Sequence, residues 1–186
     1  TDQYSAQGVE SAEQSSRWSV MDERQCLYFL NRHQPMPTDA DWTEECELLD
    51  EVRGYLTEYP SEEALPLLLK VFGDGSGYVV HQLIERAVVE HPPSTVVPLL
   101  VTALTTGTQS IKYWNAQIAE NFPSRELIAP LTELCDSSDE DLRAAGIAAL
   151  GQIKSPEVKA YLEKQMELDD LEHDLRELVV DGLENQ

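Results

Sequence analysis

The chain has 186 residues, of which 41% are hydrophobic and 26% are charged, a balance that is typical of a folded globular protein and excludes a fibrous or wholly disordered one. Its 13 Lys and Arg residues stand against 35 Asp and Glu residues, which gives a net charge of -22. Such a charge disfavours binding to nucleic acid or to an anionic membrane, because the phosphates would be repelled. The apolar runs are also far shorter than the roughly 18 residues of a membrane-spanning helix.

The cysteine content favours a reducing compartment. The three cysteines, Cys26, Cys46 and Cys135, are an odd number and none forms a C-x-x-C pair. A disulfide framework is therefore not expected. The start of the chain shows no basic segment followed by an apolar one, so no secretory signal is expected either. We expect a cytoplasmic protein.

The N-terminal third divides into two parts. Residues 1–17 are rich in Ser and Gln and poor in large apolar side chains, which predicts a flexible tail. Residues 18–59 predict a pair of helices, the first ending near Gln34 before Pro35 and the second beginning around Thr38. The second helix carries an apolar stripe at helical spacing. The stripe consists of Trp42, Leu49, Val52, Leu56 and Tyr59.

From residue 60 onward the chain repeats itself at intervals of about 31 residues. Pro60-Ser61, Pro93-Ser94, Pro123-Ser124 and Ser155-Pro156 each precede an apolar run, and Ser at these positions is expected to cap the new helix. A second register with the same period contains Asp74, Thr105, Asp136 and Asp169, each followed seven residues later by His81, Lys112, Arg143 and Arg176. The two registers predict four repeats of paired helices over residues 60–186.

At these residues the chain resembles the HEAT-like repeat family, and the best copy is Ser124 to Lys154. This copy holds the run Asp139-Glu140-Asp141-Leu142-Arg143 followed by an Ala-rich second helix. The resemblance implies an all-α fold, a short right-handed α-solenoid of about five antiparallel helix pairs when residues 18–59 are counted as a divergent first pair. Proteins of this family mostly bind other proteins and occasionally host chemistry.

The aspartate and basic series favours a structural role over a catalytic one. A catalytic site would occur once, whereas this pattern recurs in each repeat, so we expect hydrogen bonds and ion pairs that join neighbouring repeats. The residues assigned to this role are Asp74, His81, Lys112, Asp136, Arg143, Asp169 and Arg176.

The second helices supply a candidate binding surface. In HEAT-like stacks the second helices line the concave face, and Tyr113 shares its register with surface residues there. It is a candidate contact anchor, with a tyrosine lying flat along its own helix as the alternative. Trp114 falls in a core register, and Asn115 is expected to bond a neighbouring turn. The candidate contact set is Tyr113, Gln82, Arg86, Gln117 and Glu177.

No motif predicts a metal, a cofactor or a catalytic residue. The four histidines, His33, His81, His91 and His173, lack metal-ligand spacing. The segment from Gly73 to Gly77 lacks both the Lys-Ser/Thr of a phosphate loop and the carboxylates of a calcium loop, so a turn is expected.

Acidic residues are concentrated towards the two ends of the predicted stack. Residues 39–63 hold ten acids against Arg53 alone, and residues 157–186 hold ten against three bases. These ends either serve as solubilising caps or steer a basic partner. The acids chosen as candidate contacts are Glu44, Glu47, Asp50 and Glu51.

The sequence favours a non-catalytic module that binds a basic protein partner. A concrete version is an acidic immunity or antitoxin protein that inhibits a basic effector such as a nuclease toxin. Two alternatives remain open: a HEAT-like enzyme or chromophore lyase, as the resemblance allows, and an adaptor subunit of a larger assembly.

Overall fold

The computed structural model describes residues 21–37, 44–74, 80–168 and 171–186, and all regular secondary structure in these ranges is helical. The tail expected over residues 1–17 lies outside them. A 3₁₀ turn, Arg125–Leu127, comes directly before the α-helix Ile128–Cys135. The ten α-helices of the described ranges are α1 (Glu23–Arg32), α2 (Glu44–Glu58), α3 (Leu65–Leu68), α4 (Val80–Val88), α5 (Pro93–Thr106), α6 (Gln109–Ala119), α7 (Ile128–Cys135), α8 (Glu140–Gly151), α9 (Pro156–Met166) and α10 (His173–Glu184).

The helices stack in two rows. In the second-helix row, α2 packs against α4, α4 against α6, α6 against α8, and α8 against α10. In the first-helix row, α1 packs against α3 and α5 against α7, while consecutive helices such as α7 and α8 form the pairs. This arrangement is a short helical solenoid of five helix pairs, as predicted from the four repeats and the divergent first pair.

Serine hydroxyls begin three of the four repeats. Ser61, Ser124 and Ser155 each accept a hydrogen bond from a backbone N–H two or three residues further on. The expected cap at Ser94 is wrong, because α5 already begins at Pro93 and Ser94 lies within its first turn. Proline replaces the cap there, since its missing N–H leaves one fewer donor to satisfy.

The core follows the predicted second-helix register. Val80, Ile111, Leu142 and Leu175 are all buried, and so is Trp114. Apolar residues at equivalent positions of successive helices therefore form one continuous core along the stack.

The predicted stripe of α2 is confirmed in part. Leu49, Val52 and Leu56 are buried, but Tyr59 is 54% exposed. Tyr59 follows the last residue of α2, so the helical spacing no longer directs its side chain to the core. Its ring lies 5.0 Å from that of Tyr55. Trp42 lies outside the described residues.

Candidate partner-binding cleft

An open cleft of about 430 Å³ lies among three consecutive second helices, α4, α6 and α8. It is located towards their amino-terminal ends, since its lining residues belong to the first two turns of these helices or to the cap of α8. The lining consists of Gln82 from α4; Gln109, Ser110, Tyr113 and Trp114 from α6; and Asp139, Asp141 and Leu142 from the start of α8.

Aromatic side chains form one wall of the cleft. The rings of Tyr113 and Trp114 meet edge to face, with their centroids 5.1 Å apart. Trp114 also contacts the rings of His81 and Phe72, at 5.4 and 6.0 Å. Trp114 is nearly buried while Tyr113 is only half-buried, so Tyr113 offers most of the aromatic surface to the cleft. These contacts hold its ring in place, because an aromatic pair adds attraction beyond the burial of its area.

Two carboxylates also line the cleft. Asp139 is the N-cap of α8 and accepts a hydrogen bond from the backbone N–H of Leu142 at 3.1 Å. Asp141, two residues after the cap, is exposed. A third carboxylate lies beside the cleft, since Ser110 Oγ donates to Asp74 at 2.7 Å. None of the eight lining residues is basic. The cleft is therefore polar, aromatic and negatively charged.

The candidate contact residues separate into two groups. Gln82 and Tyr113 line the same cleft although they belong to different repeats. Arg86 and Gln117 lie one turn further along α4 and α6 and do not line it. Glu177 belongs to α10, outside the cleft, and its carboxylate lies 3.7 Å from His173 Nδ1.

The acidic candidates lie on α2, which is at the opposite end of the second-helix row from α10 and packs against α4. Glu44, Glu47 and Glu51 are exposed and follow one another at helical spacing. Asp50 differs from them, because its Oδ1 lies 2.8 Å from both Nε and NH2 of Arg53. This ion pair neutralises Asp50, which leaves the three glutamates as the exposed acidic face of α2.

The aspartates of the inter-repeat series join neighbouring repeats, but not through the basic residues of the series. Asp74 accepts a hydrogen bond from Ser110, and Asp136 accepts one from the Tyr161 hydroxyl at 3.2 Å. Each partner belongs to the following helix pair. Asp169 lies outside the described residues.

The basic members of the series take four different environments. Arg143 lies 3.7 Å from Glu172, ahead of α10, and His81 packs between the rings of Phe72 and Trp114. Lys112 is half-buried and makes no ion pair with the described part of the chain. Arg176 departs from the expectation of an inter-repeat bond, because it donates to the carbonyls of Met166 and Leu168 within its own repeat. The end of α9 leaves carbonyls without helical partners, and Arg176 satisfies two of the carbonyls there.

Asn115 bonds a neighbouring turn, as its register predicted. Its fully buried side-chain amide donates to the carbonyl of Leu69 at 2.8 Å, which ties α6 to the end of α3, and to the carbonyl of Ile111 at 2.8 Å. A buried amide of this kind fixes the position of α6 relative to the preceding repeat.

Two of the cysteine thiols, those of Cys26 and Cys135, are not reactive nucleophiles. Burial raises the pKa of the Cys26 thiol to about 12, and burial likewise raises the pKa of the Cys135 thiol to about 12. Both therefore stay protonated at neutral pH, whereas a reactive cysteine needs its thiolate. Within the described ranges, no three His, Cys, Asp or Glu side chains are placed to hold a metal ion.

Sequence reasoning missed four of the cleft residues, namely Gln109, Ser110, Asp139 and Asp141. Asp139 and Asp141 were read only as part of the repeat motif. The sequence did contain a signal for these residues, namely their position at the start of a second helix. In a stack of repeats, the starts of neighbouring second helices lie side by side. The start of each second helix could therefore have been compared with the start of the next.

A family model described as HEAT repeats matches residues 97–184. This part of the chain is similar to HEAT repeats. The match begins within α5 and ends with α10, so it covers three of the five helix pairs, including α6 and α8 of the cleft. HEAT repeats form helical modules of the kind that mediates interactions between proteins. A comparison with curated proteins finds no match.

None of the helices in the described ranges is both long enough and apolar enough to cross a membrane.

Proposed function

We propose that this HEAT-repeat protein is a non-catalytic, cytoplasmic module that binds a basic protein partner and inhibits it, in the manner of an immunity or antitoxin protein. The observation that carries the proposal is the cleft among α4, α6 and α8, whose lining residues include a half-buried tyrosine and two aspartates and no base. Binding energy at protein interfaces is concentrated in such aromatic anchors with charged neighbours.

Net charge supports a basic partner over an acidic one. The whole chain carries -22, and the exposed glutamates of α2 add a second negative surface in the same row of helices. Complementary charge accelerates encounter between proteins and suppresses partners of the wrong sign. The same charge opposes nucleic acid as the ligand, because the counterion term would be unfavourable.

The two negative surfaces have different roles in this proposal. The α2 glutamates are exposed to solvent, so they attract a basic partner at a distance and raise the association rate. The cleft has fixed aromatic and polar walls, so it makes the close contacts that determine the dissociation rate.

The proposal is tested with a partner captured from native lysate, purified, and measured by surface-based kinetics between low and high salt. We expect the association rate to fall with salt, because opposite charges are screened over about 8 Å at physiological ionic strength. Glu44→Lys with Glu47→Lys should slow association and flatten the salt dependence. An association rate that is indifferent to salt in the unmutated protein contradicts the proposal.

The inhibitory part of the proposal has its own readout. If the captured partner is an enzyme such as a nuclease, its activity should fall in proportion to added protein and reach a minimum at a fixed molar ratio. A partner that binds tightly but keeps its full activity makes this protein an adaptor and not an inhibitor.

A further inference from the structure

We propose that the cleft among α4, α6 and α8 is a receptor for a single arginine side chain of the partner. This inference rests on the proposed function, since it names the group that a basic protein would insert. The geometry that points to it is that Tyr113, Asp139 and Asp141 line the same cleft.

The charge of the cleft selects a cation. Asp139 and Asp141 line it, Asp74 lies beside it through Ser110, and neither lining carboxylate makes an ion pair with the described part of the chain. The nearest base in sequence to Asp141 is Arg143, whose guanidinium is engaged by Glu172 at 3.7 Å. The carboxylates of the cleft can therefore pair with a cation from outside the molecule.

An anion is a poor occupant although helix amino termini face the cleft. The backbone N–H of Ile111 is capped by Thr108, and that of Leu142 by Asp139. These caps satisfy donors that would otherwise bind an anion. The carboxylates of Asp139 and Asp141 repel any further negative charge and already offset the positive end of the α8 dipole.

The walls favour a guanidinium over an ammonium group. A guanidinium is planar, stacks on an aromatic ring, and presents several donors at once to carboxylate and amide oxygens. Tyr113 supplies the ring, Asp139 and Asp141 the carboxylates, and Gln82 and Gln109 two side-chain carbonyl oxygens. Lysine offers a compact charge that is more strongly hydrated and gains less from the ring.

The inference is tested by titrating the full chain, labelled with ¹⁵N, with the peptide acetyl-Gly-Arg-Gly-amide and observing amide and indole N–H signals. Peptides with citrulline, lysine or glutamate at the central position are the controls. Citrulline keeps the shape of arginine and loses its charge. We expect the arginine peptide to bind in the millimolar range, with shifts at the Trp114 indole and over residues 139–142, and to bind about threefold or more tightly than each control.

Matched variants assign the binding to the cleft. Asp141→Asn should weaken the arginine peptide about two- to fivefold, the range of a partly exposed ion pair. Glu140→Gln removes the same charge from the neighbouring exposed position of the same helical turn and should leave the affinity unchanged. Asp139→Asn combined with Asp141→Asn should weaken it about tenfold, and Asn retains the capping of α8, so folding is preserved.

Three results overturn the inference: equal binding of the arginine and citrulline peptides, shifts that map away from the cleft, or equal effects of Asp141→Asn and Glu140→Gln. Each of these is distinguishable from failure of the proposed function. A basic partner that still binds the Asp139→Asn, Asp141→Asn protein with an unchanged dissociation rate and a salt-dependent association rate keeps the proposed function and removes the arginine receptor.

Discussion

Two junctions within the second-helix row show how the same repeat pattern yields either close packing or a cleft. Between α8 and α10, Gly151 lies against Gly182 so closely that a Cβ added to Gly151 would stand 2.8 Å from the Gly182 Cα. Between α4, α6 and α8 the first two turns of the helices carry Gln82, Tyr113 and Asp141 instead, and these residues line a cleft of about 430 Å³. Small residues let backbones touch, whereas large polar and aromatic residues hold them apart. The repeat fixes the stacking, and the residues at each junction decide whether it can hold a ligand.

The C-terminal junction is also closed by hydrogen bonds. The amide of Gln186 donates to the carbonyls of Gly151 and Ile153, and its oxygen accepts from the backbone N–H of Ser155. Asn185 donates to the same Gly151 carbonyl at 2.9 Å. These contacts satisfy the turn between α8 and α9, whereas Asn115 in the middle of the stack bonds the end of α3.

Leu142→Asp should have the largest effect, because Leu142 belongs to both the core and the cleft. It is only 5% exposed, and the new carboxylate would lie in the register of Ile111 and Leu175. We expect a loss of about 3 to 5 kcal/mol in the free energy of unfolding, from lost packing and a buried charge. Urea denaturation followed by circular dichroism measures it. An unchanged midpoint would mean that this position does not face the core.

Gly151→Ala should come next, because it tests the close junction directly. The added methyl meets the backbone of Gly182 and not a flexible side chain, so α8 and α10 must separate. We expect destabilisation of about 1 to 3 kcal/mol. Gly54→Ala in α2 is the matched control, since nothing lies within 4 Å of its Cβ position. It should stabilise by about 0.5 to 1 kcal/mol through the higher helix propensity of Ala. The comparison fails if the two variants shift the midpoint in the same direction.

The sequence predicted the solenoid and its core because periodicity is a property of many residues at once. Val80, Ile111, Leu142 and Leu175 agree with one another, so a local departure does not disturb the register. Of the residues that line the cleft, only Gln82 and Tyr113 were among the predicted contact residues. A cleft forms where the side chains of neighbouring helices leave space between them, and the repeat pattern does not specify that. Asp139 and Asp141 belong to a motif that marks the repeat, and the motif does not reveal that their neighbours across the junction are Gln109 and Tyr113.

Gln186→Ala should have a smaller effect than Gly151→Ala. It removes side-chain bonds to the turn between α8 and α9 that are only partly buried. Each such bond contributes about 0.5 to 1.5 kcal/mol, and water replaces part of what is lost, so we expect about 1 kcal/mol in total. Glu184→Ala, at an exposed position of α10, serves as the control. Equal melting temperatures for the two variants would show that Gln186 does not hold the junction.

Glu120→Gln should have the smallest effect and depend on pH. Burial raises the pKa of the Glu120 carboxyl, and the Glu85 carboxylate across the α4 and α6 junction raises it further. In the window between the unfolded and folded pKa the native state binds more protons, so stability falls as pH rises through it. Replacement by Gln should remove this slope and stabilise slightly at neutral pH. Melting temperatures from pH 4 to 8 test it, and an unchanged slope in the variant is the opposing result.

The central claim is that a partner docks on the cleft of the second-helix row, and the dissociation rate of a captured partner tests it most directly. Tyr113→Ala is compared with Tyr28→Ala, which removes a 53% exposed tyrosine from α1 in the other row. Both variants must first melt as the unmutated protein does. We predict that Tyr113→Ala raises the dissociation rate about tenfold, as loss of an interface anchor does, while Tyr28→Ala leaves it unchanged. Equal rates for the two variants, or a larger increase with Tyr28→Ala, would contradict the account.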